Sequence, residues 1–502
     1  MRYSPFNPQQ ERSRTFIDFR RTLAHSPYAL LCLCGYATWM IIVFQSSAVL
    51  PSISFLSVDL PGWLPPMTCM AATSFIFAVA FWVKRFVIPA RTLFITMASL
   101  MTAGALCFAI WIMSANGALG PNLVFYLGSM LVGVGTALLY IEMNRLLGYL
   151  GMRKTGFLVI AALSVASLIA SLLSFTPMGT RIAFLCLLPI TTILLYRKAI
   201  GPFPISEYFH HGIKARLYFP WKYLITSFLQ GVSLGIVGGS VVFLQASDMG
   251  IVPNALGCVV ACALFLATIT FLKLDFNRLI YQIGFPLMAL GFYLIGLLFP
   301  HAIAGSLIQI VGYYFVDLAM WCLGSYLIKN KGLPATWIAM GPSCSLFIGN
   351  MVGGFLGWLA SGSIPDEGIS AIMNGTAILL FVFALLLVNE DNFRFGWGTL
   401  KPISEEEEID WLSNVYEYLE SEYDLTGRQA DMLRLLAADY SRKEIAAELY
   451  VSEDTVKTHV RNLYQKLSVH SQKELIELIK ATSIMLKLDS RKPEKADPQQ
   501  HS

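Results

Sequence analysis

A succession of long apolar segments, which fills most of the chain, constrains its fold more than any other feature. Of the 502 residues, 56% are hydrophobic and only 14% are charged. Most segments reach the ~20 residues that a helix needs to cross a bilayer. Inside a bilayer a segment must satisfy its own backbone polar groups, which favours helices. The sequence predicts an all-α, polytopic bundle with twelve spans at about 28–49, 64–83, 92–114, 121–142, 156–175, 181–197, 223–245, 251–272, 279–299, 303–328, 334–360 and 368–388.

Basic residues occupy alternate loops between these segments. One set of loops carries Lys84, Arg85, Arg91, Arg145, Arg153, Lys154, Arg197, Lys198, Lys214, Arg216, Lys222, Lys273, Arg278, Lys329 and Lys331. The other set offers only Arg181. The positive-inside rule therefore predicts that both termini are cytoplasmic, as an even number of spans also requires. The polar segment Met1–Ser26 shows no cleavage site, so we expect a cytoplasmic leader on a multi-pass protein of the inner (cytoplasmic) membrane.

The apolar part of the chain divides into two sets of six spans. The long basic loop Arg197–Lys222 separates them, and Val43–Ser47 (VFQSS) is echoed by Val242–Ser247 (VFLQAS). Weak internal repeats of this kind are typical of transporters. In span count, central loop and basic loops the architecture resembles the major facilitator superfamily. The resemblance implies a 6+6 helix bundle. The sequence departs from the superfamily at Lys84–Arg91, which lacks its glycine-rich acidic loop motif.

Small residues repeat at one-turn spacing in two spans. Gly231, Gly235 and Gly239 form one series, and Gly349, Gly353 and Gly357 form the other. Such series let helix backbones approach closely, so we expect tight helix packing at both.

Few polar side chains fall within the spans. Asp317 lies in the middle of the tenth span, with Tyr313 and Trp321 one turn away on either side. An intramembrane acid is costly, which makes it a functional hypothesis by default. The alternative is a structural tie to a neighbouring helix. We expect the residues that sense an unknown small-molecule ligand among Asp317, Tyr313, Trp321, Gln45, Gln230 and Asn350.

The segment Leu425–Ile479 divides into four short helices with explicit start signals. Capping boxes are predicted for Thr426/Gln429, Ser441/Glu444 and Ser471/Glu474, and the third helix opens at Ser452. Only Leu449–Val451 separates the second helix from the third. Two helices joined by so short a turn indicate a helix-turn-helix.

The third of these helices separates its residues by face. At 100° per residue one apolar stripe collects Val456, Val460, Leu463 and Leu467. The opposite face collects Lys457, Thr458, Arg461 and Gln465, with His459 and Lys466 on the flanks. An apolar back and a cationic front fit the major groove of double-stranded DNA. The alternative is a solvated charged face.

The same segment resembles the LuxR/NarL-type DNA-binding domain. The matching residues are Leu425–Arg428, Leu435–Ala437, Lys443–Ala446, Ser452–His459 and Lys466–Val469. The resemblance implies base contacts by Lys457, Thr458 and Arg461. The predicted DNA-binding residues are these three together with Gln465, His459, Lys466 and Lys443. The resemblance also implies pairing on DNA through the fourth helix, where Leu475, Leu478 and Ile479 offer apolar area. The sequence departs from the family at Asp439, usually Gly, and at Gln472, usually Arg.

These features predict five regions. They are a leader (1–26), a transmembrane domain resembling the major facilitator superfamily (27–389), a linker with an amphipathic helix (390–424), a four-helix LuxR-type domain (425–488) and a disordered tail (489–502). The apolar stripe of the linker helix fits either a short coiled coil or packing on the LuxR-type domain.

The predicted function is that of a membrane-embedded one-component transcription regulator, with the bundle as sensor or anchor. Its expected partners are promoter DNA, the lipid bilayer, an unknown small-molecule ligand and a second copy of the chain on DNA. The alternative is a transporter or facilitator that carries a regulatory DNA-binding tail. The chain presents no nucleophile–base pair and no phosphate-binding glycine loop, and its cysteines lie in apolar stretches. We therefore expect no enzyme, no cofactor and no metal site.

Overall fold

The structure is a computed structural model. It describes residues 19–45, 49–51, 53–55, 58–60, 62–114, 121–213, 217, 221–243, 251–272, 274–298, 303–363, 366–387, 411–437, 442–449 and 451–489. The chain divides into two compact units. The first comprises residues 14–202 and 216–404, and the second comprises residues 1–13, 203–215 and 405–502. The predicted linker start and disordered tail lie outside the described residues.

The first unit is built from long helices at the positions of the predicted spans. Its helices are α1 (Pro27–Phe44), α2 (Leu64–Val83), α3 (Ala90–Ser114), α4 (Pro121–Leu150), α5 (Met152–Ser174) and α6 (Met178–Ile200) in the first half. After the short helix α7 (Ile205–His210), which belongs to the second unit, come α8 (Trp221–Phe243), α9 (Ile251–Ala267), α10 (Phe285–Leu298), α11 (Ile303–Lys331), α12 (Ala335–Ser363) and α13 (Asp366–Leu387). Single π-helical segments, Thr268–Leu272 and Arg278–Gly284, extend α9 and precede α10.

Eleven helices, counted over the described residues, are long and apolar enough to cross a membrane. The remaining long helix, α8, has Lys222 and Gln230 within its run. The prediction of an all-α polytopic bundle is confirmed. The first predicted span was too long, because α1 ends at Phe44 rather than near 49. A short antiparallel hairpin, Ile53–Phe55 with Val58–Leu60, follows it.

Helices α8 and α12 pack with their backbones in contact. A Cβ atom on Gly231 would overlap the carbonyl oxygen of Leu346, and one on Gly349 would overlap the carbonyl oxygen of Phe228. Only glycine fits at such an approach. The predicted close packing at both glycine series is confirmed in the α8–α12 seam.

A buried ion pair stiffens the first half. Arg145 donates two hydrogen bonds of 3.1 Å to the carboxylate of Glu142, whose side chain is 2% exposed. The hydroxyl of Tyr196, on α6, donates to the same carboxylate at 2.6 Å. Because the charge is paired and hydrogen-bonded, its burial is tolerated. The cluster joins α4 to α6.

The second unit contains five further helices in its described part. They are α14 (Trp411–Glu422), α15 (Gly427–Ala437), α16 (Arg442–Leu449), α17 (Glu453–Lys466) and α18 (Gln472–Asp489). Their apolar faces form one core that includes Leu433, Leu436, Ile445, Val456 and Leu463, each 2% exposed or less.

The linker helix α14 is part of this core. Val415 and Leu419 are buried in it, and Glu420 accepts a hydrogen bond of 2.8 Å from the guanidinium of Arg434 on α15. Of the two alternatives for this helix, packing on the following domain is therefore confirmed.

Capping interactions open two of the helices as expected. The amide of Thr426 donates to the side chain of Gln429 at 3.0 Å, and the amide of Gln429 donates back to Thr426 at 3.4 Å. At α18, the amide of Glu474 donates to Ser471 at 3.2 Å, but the carboxylate of Glu474 reaches the amide of His470 instead of that of Ser471. The predicted box at Ser441/Glu444 lies outside the described residues and side chains.

Candidate functional site

Helix α17 is positioned by a cap at its start and an apolar face along its length. The amide of Thr455 donates to the hydroxyl of Ser452 at 3.2 Å, and Glu453 and Asp454 occupy the first turn. Carboxylates there interact favourably with the helix dipole. Val456, Val460, Leu463 and Leu467 are buried, as the sequence predicts. The opposite face of α17 is thereby turned to solvent.

That exposed face carries the residues expected to contact bases. Lys457, Thr458, Arg461 and Gln465 are exposed, whereas His459 is half-buried on the flank. The hydroxyl of Thr458 donates back to the carbonyl of Asp454 at 3.0 Å. Among the residues that the structure describes, neither Lys457 nor Arg461 forms a salt bridge. Both cations are therefore available to a ligand with negative charge.

Lys466 and Lys443 were also predicted to contact DNA. The ammonium of Lys466 donates to the backbone carbonyl of Asp424 at 2.5 Å, where the chain has a left-handed φ of 45°. Lys466 thus ties the end of α17 to the turn before α15. Lys443 lies in α16, and its side chain is outside the described part of the structure.

The two departures from the family pattern differ in outcome. The side-chain amide of Gln472 donates to the carbonyl of Leu436 at 2.9 Å, so it satisfies an acceptor near the end of α15. Asp439 lies outside the described residues.

The fourth helix offers less free apolar area than expected. Leu475 is 0% exposed and Ile479 is 8% exposed, because both belong to the unit's own core together with α14. Of the three residues considered for pairing, only Leu478 is partly exposed. The expectation of an open apolar surface there was wrong, because the linker helix α14 shares the core with Leu475 and Ile479.

A cavity of about 90 Å³ lies within the membrane bundle, lined by helices from both of its halves. A single water needs roughly 10–15 Å³ on this scale, so the cavity has room for a small organic molecule. Five of the six predicted sensing residues line it, namely Asp317, Tyr313, Trp321, Gln45 and Asn350. The sixth, Gln230, lines a smaller cavity of about 30 Å³ that shares Asp317 and Trp321 with the first. The structure therefore brings all six residues together.

Asp317 lies where the two cavities meet. Its carboxylate has hydrogen-bonding contacts with the side chains of Trp321 and Gln230. Gln230 also donates to the backbone carbonyl of Tyr313 at 3.3 Å. In the described part of the chain, no group of His, Cys, Asp and Glu side chains is placed to hold a metal ion.

Aromatic rings pack around Trp321, which interacts with this carboxylate. The ring of Trp321 lies 5.4 Å from that of Tyr140 and 6.2 Å from that of Tyr36, both in edge-to-face contacts. Tyr36 and Tyr140 come from α1 and α4, and the sequence analysis missed both. No spacing pattern in their own helices distinguishes them from other tyrosines; only the tertiary structure brings them to Trp321.

Comparison with known proteins identifies the C-terminal unit. Residues 424–479 match the family of bacterial regulatory proteins of the luxR type. The chain is 54% identical to a nitrate/nitrite response regulator protein homolog of Haemophilus influenzae over 48 residues. Those residues make up 10% of this chain and 23% of that protein. It is also 48% identical to the HTH-type transcriptional regulator MalT of Vibrio campbellii over 52 residues, and those residues make up 10% of this chain and 6% of that protein. The chain thus spans less than a quarter of the length of either relative.

The membrane unit is similar to solved transporter structures. One is a bacterial homologue of the iron transporter ferroportin in an outward-facing state, with a TM-score of 0.52, 13% identity, and coverage of 74% of this chain and 98% of that one. Another is the major facilitator superfamily transporter FucP in an outward conformation, with a TM-score of 0.45, 15% identity, and coverage of 72% and 99%. At 13% identity, the similarity to the ferroportin homologue concerns the fold alone. The chain therefore joins a bundle of candidate membrane spans, whose fold is similar to that of a solved transporter, to a segment that matches the luxR family.

Proposed function

We propose that the protein is a membrane-embedded one-component transcription regulator that binds promoter DNA through α17. The observation that carries this proposal is the exposed face of Lys457, Thr458, Arg461 and Gln465 on a capped helix within a luxR-family match. Arginine and lysine on such a face read guanine edges in the major groove. The relatives are themselves regulators by name.

We place the bundle in the inner membrane with both termini in the cytoplasm. The alternation of basic loops supports this orientation. It also leaves the DNA-binding unit on the side where DNA is. Reporter fusions after Gly117 and after Val388 provide the test, with a periplasmic signal expected from the first and a cytoplasmic signal from the second. A periplasmic signal after Val388 would separate α17 from DNA and exclude the function.

The bundle acts in this proposal as the sensor of a small molecule held near Asp317; its alternative role is that of a membrane anchor alone. A ligand shifts a two-state bundle only by its differential affinity for the two states. The output is the pairing of two DNA-binding units, because a tethered second copy raises the effective concentration on DNA. A homodimer of this kind has to use surface beyond Leu475 and Ile479, which the core of the unit occupies.

The second candidate function is transport with a regulatory tail. The fold of the bundle and its cavity favour it, since both are features of transporters. Uptake of candidate ligands into vesicles that contain the full chain would reveal it.

Chromatin immunoprecipitation of the tagged full-length chain, combined with cell fractionation, tests the main proposal. We expect discrete chromosomal sites from a protein that sediments with membranes. The matched control is Arg461→Ala, which removes a cation from the exposed face of α17 without touching the bundle. Absence of sites with the parent chain, or identical sites with the variant, would argue against DNA reading by α17.

A further inference from the structure

The cavity in the bundle has one acidic side chain among its described lining residues. That side chain is Asp317, and the described lining contains no lysine, arginine or histidine. The partners found for this carboxylate, Gln230 and Trp321, are uncharged hydrogen-bond donors. A carboxylate removed from water is stabilised best by an opposite charge. The electrostatics of the cavity therefore favour a cation and disfavour an anion.

The rings beside Asp317 favour an organic cation over an inorganic one. Trp321, Tyr36 and Tyr140 form a cluster with centroid distances of 5.4 to 6.2 Å, and all three line the cavity. Aromatic faces attract ammonium groups, tryptophan most strongly, and aromatic cages are a common way to bind quaternary ammonium ligands. A Ca²⁺ ion would instead need six to eight oxygen ligands, and the cavity supplies one carboxylate.

The rest of the lining indicates what the cation is attached to. Apolar side chains make up most of the lining; they include Ile41, Phe44, Met67, Leu234 and Phe347. Two amides, Gln45 and Asn350, supply polar groups in the same cavity. Largely apolar walls with a few convergent polar groups are typical of small-molecule sites.

We infer that this cavity binds a small organic cation, a protonated amine or quaternary ammonium on an apolar or aromatic body. Asp317 is the counter-ion, and the cluster of Trp321, Tyr36 and Tyr140 surrounds the ammonium group. The apolar wall holds the body of the ligand. This ligand class rests on the proposed sensing function for its biological meaning, but binding itself can be measured without DNA.

The test uses purified full-length protein in lipid nanodiscs and measures thermal stability against ligand concentration. The probes are phenethylamine, benzyltrimethylammonium, neutral 2-phenylethanol and anionic phenylacetate. We expect both cations to stabilise the protein in a saturable manner, at concentrations well below any effect of the alcohol or the anion. The permanent charge of benzyltrimethylammonium separates binding of a cation from a change in pH.

Two variants locate the site. Asp317→Asn keeps the shape of the side chain and should weaken both cations by roughly tenfold or more, without a matching change for 2-phenylethanol. The matched control is Asp275→Asn, which removes an acid paired with Arg278 outside the cavity lining. If Asp317→Asn does not fold, Trp321→Leu provides the same comparison, because loss of the indole should weaken benzyltrimethylammonium more than the alcohol.

The outcomes separate the two proposals. Equal effects of cation and alcohol, no effect of either cation, or full cation binding by Asp317→Asn would overturn the ligand class. Cation binding without any change in output from a target promoter leaves the site in place and refutes sensing by the bundle. A promoter response that Asp317→Asn abolishes, together with cation binding, supports both.

Discussion

The hydroxyl of Tyr314 donates a hydrogen bond to the side-chain oxygen of Gln45 at 2.8 Å, across 269 positions of sequence. The bond joins α1 of the first half to α11 of the second, at the edge of the cavity. A second link between the halves, from the hydroxyl of Thr155 to that of Ser325 at 2.9 Å, lies at the end of the bundle that carries the basic loops. The two halves are therefore tied at the cavity and again at the end of the bundle that carries the basic loops.

Tyr314→Phe tests the first of these links. The variant leaves Gln45 without its donor and Asn254, which reaches the same hydroxyl at 3.3 Å, without an acceptor. A part-buried hydrogen bond contributes about 1 kcal/mol. Its loss should therefore shift the equilibrium between the linked and the separated arrangement of the two halves by roughly fivefold. Hydrogen exchange of peptides from α1 should become faster. Tyr293→Phe, at a half-exposed tyrosine, is the control and should leave exchange unchanged.

Gly231→Ala tests the α8–α12 seam. The added methyl group overlaps backbone atoms of α12, which cannot move aside as a flexible side chain does. Overpacking of this kind costs about 1–3 kcal/mol or more. We expect a lower yield of monodisperse protein and a lower thermal midpoint in detergent. Gly375→Ala, where no atom lies within 4 Å of the new Cβ, should behave like the parent; equal loss in both variants would contradict the packing argument.

Glu142→Gln tests the buried ion pair. The substitution removes the carboxylate charge that pairs with the guanidinium of Arg145, whose side chain is 13% exposed. Breaking a buried pair on one side typically costs about 3–5 kcal/mol. The matched pair Asp275–Arg278 has the same spacing, but the arginine is 58% exposed. Asp275→Asn should therefore cost about 0–1 kcal/mol. Thermal unfolding of the purified chain compares the two, and equal losses would show that burial is not the cause.

Arg461→Ala should weaken binding to the preferred DNA site by about 1–3 kcal/mol and relax the preference at one base pair. The reason is the loss of a guanidinium that can bond a guanine edge in two places. Binding of the 411–489 segment to a randomised DNA pool measures both effects. Arg428→Ala removes the same charge from α15, where the side chain is 59% exposed. It should lower affinity slightly and uniformly. A uniform loss for Arg461→Ala would make that residue a phosphate contact.

The stability of the 411–489 segment should fall in acid partly through Glu474. Hydrogen bonds from the amide of His470 and the hydroxyl of Ser471 lower the pKa of this carboxyl from its usual range. A lowered native pKa contributes stability above the unfolded value of about 4.3, and that stability is lost as pH falls through the native value. Denaturant unfolding between about pH 5 and 3 should show a shallower decline for Glu474→Gln. An unchanged slope would exclude this contribution.

Much of the fold follows from local patterns in the sequence. The capping residue Ser452 and the spacing of Val456, Val460 and Leu463 are sufficient to predict both the start of α17 and its buried face, because each depends on residues within a few turns. The juxtaposition of Asp317 with Trp321 is predictable for the same reason, since residues four apart share a helix face.

Contacts between distant helices could not be predicted in this way. Tyr36 and Tyr140 reach Trp321 only because three helices from both halves converge, and nothing in their own segments marks that convergence. The end of α1 at Phe44, ahead of the hairpin Ile53–Phe55 with Val58–Leu60, is likewise not marked by hydropathy. The role of α14 required a choice between two apolar partners, which only the observed burial of Val415 and Leu419 decides.

The α8–α12 seam has a consequence for how such a protein can diversify. Where two backbones touch, nearly every mutation is excluded, so Gly231 and Gly349 are positions that descendants of this gene cannot easily vary. The cavity lining also includes side chains from other helices, such as Tyr36 on α1 and Met67 on α2, where a substitution does not meet that backbone contact. If the cavity binds a ligand as proposed, substitutions on α1 and α2 can change the ligand preference while the seam preserves the framework of the bundle.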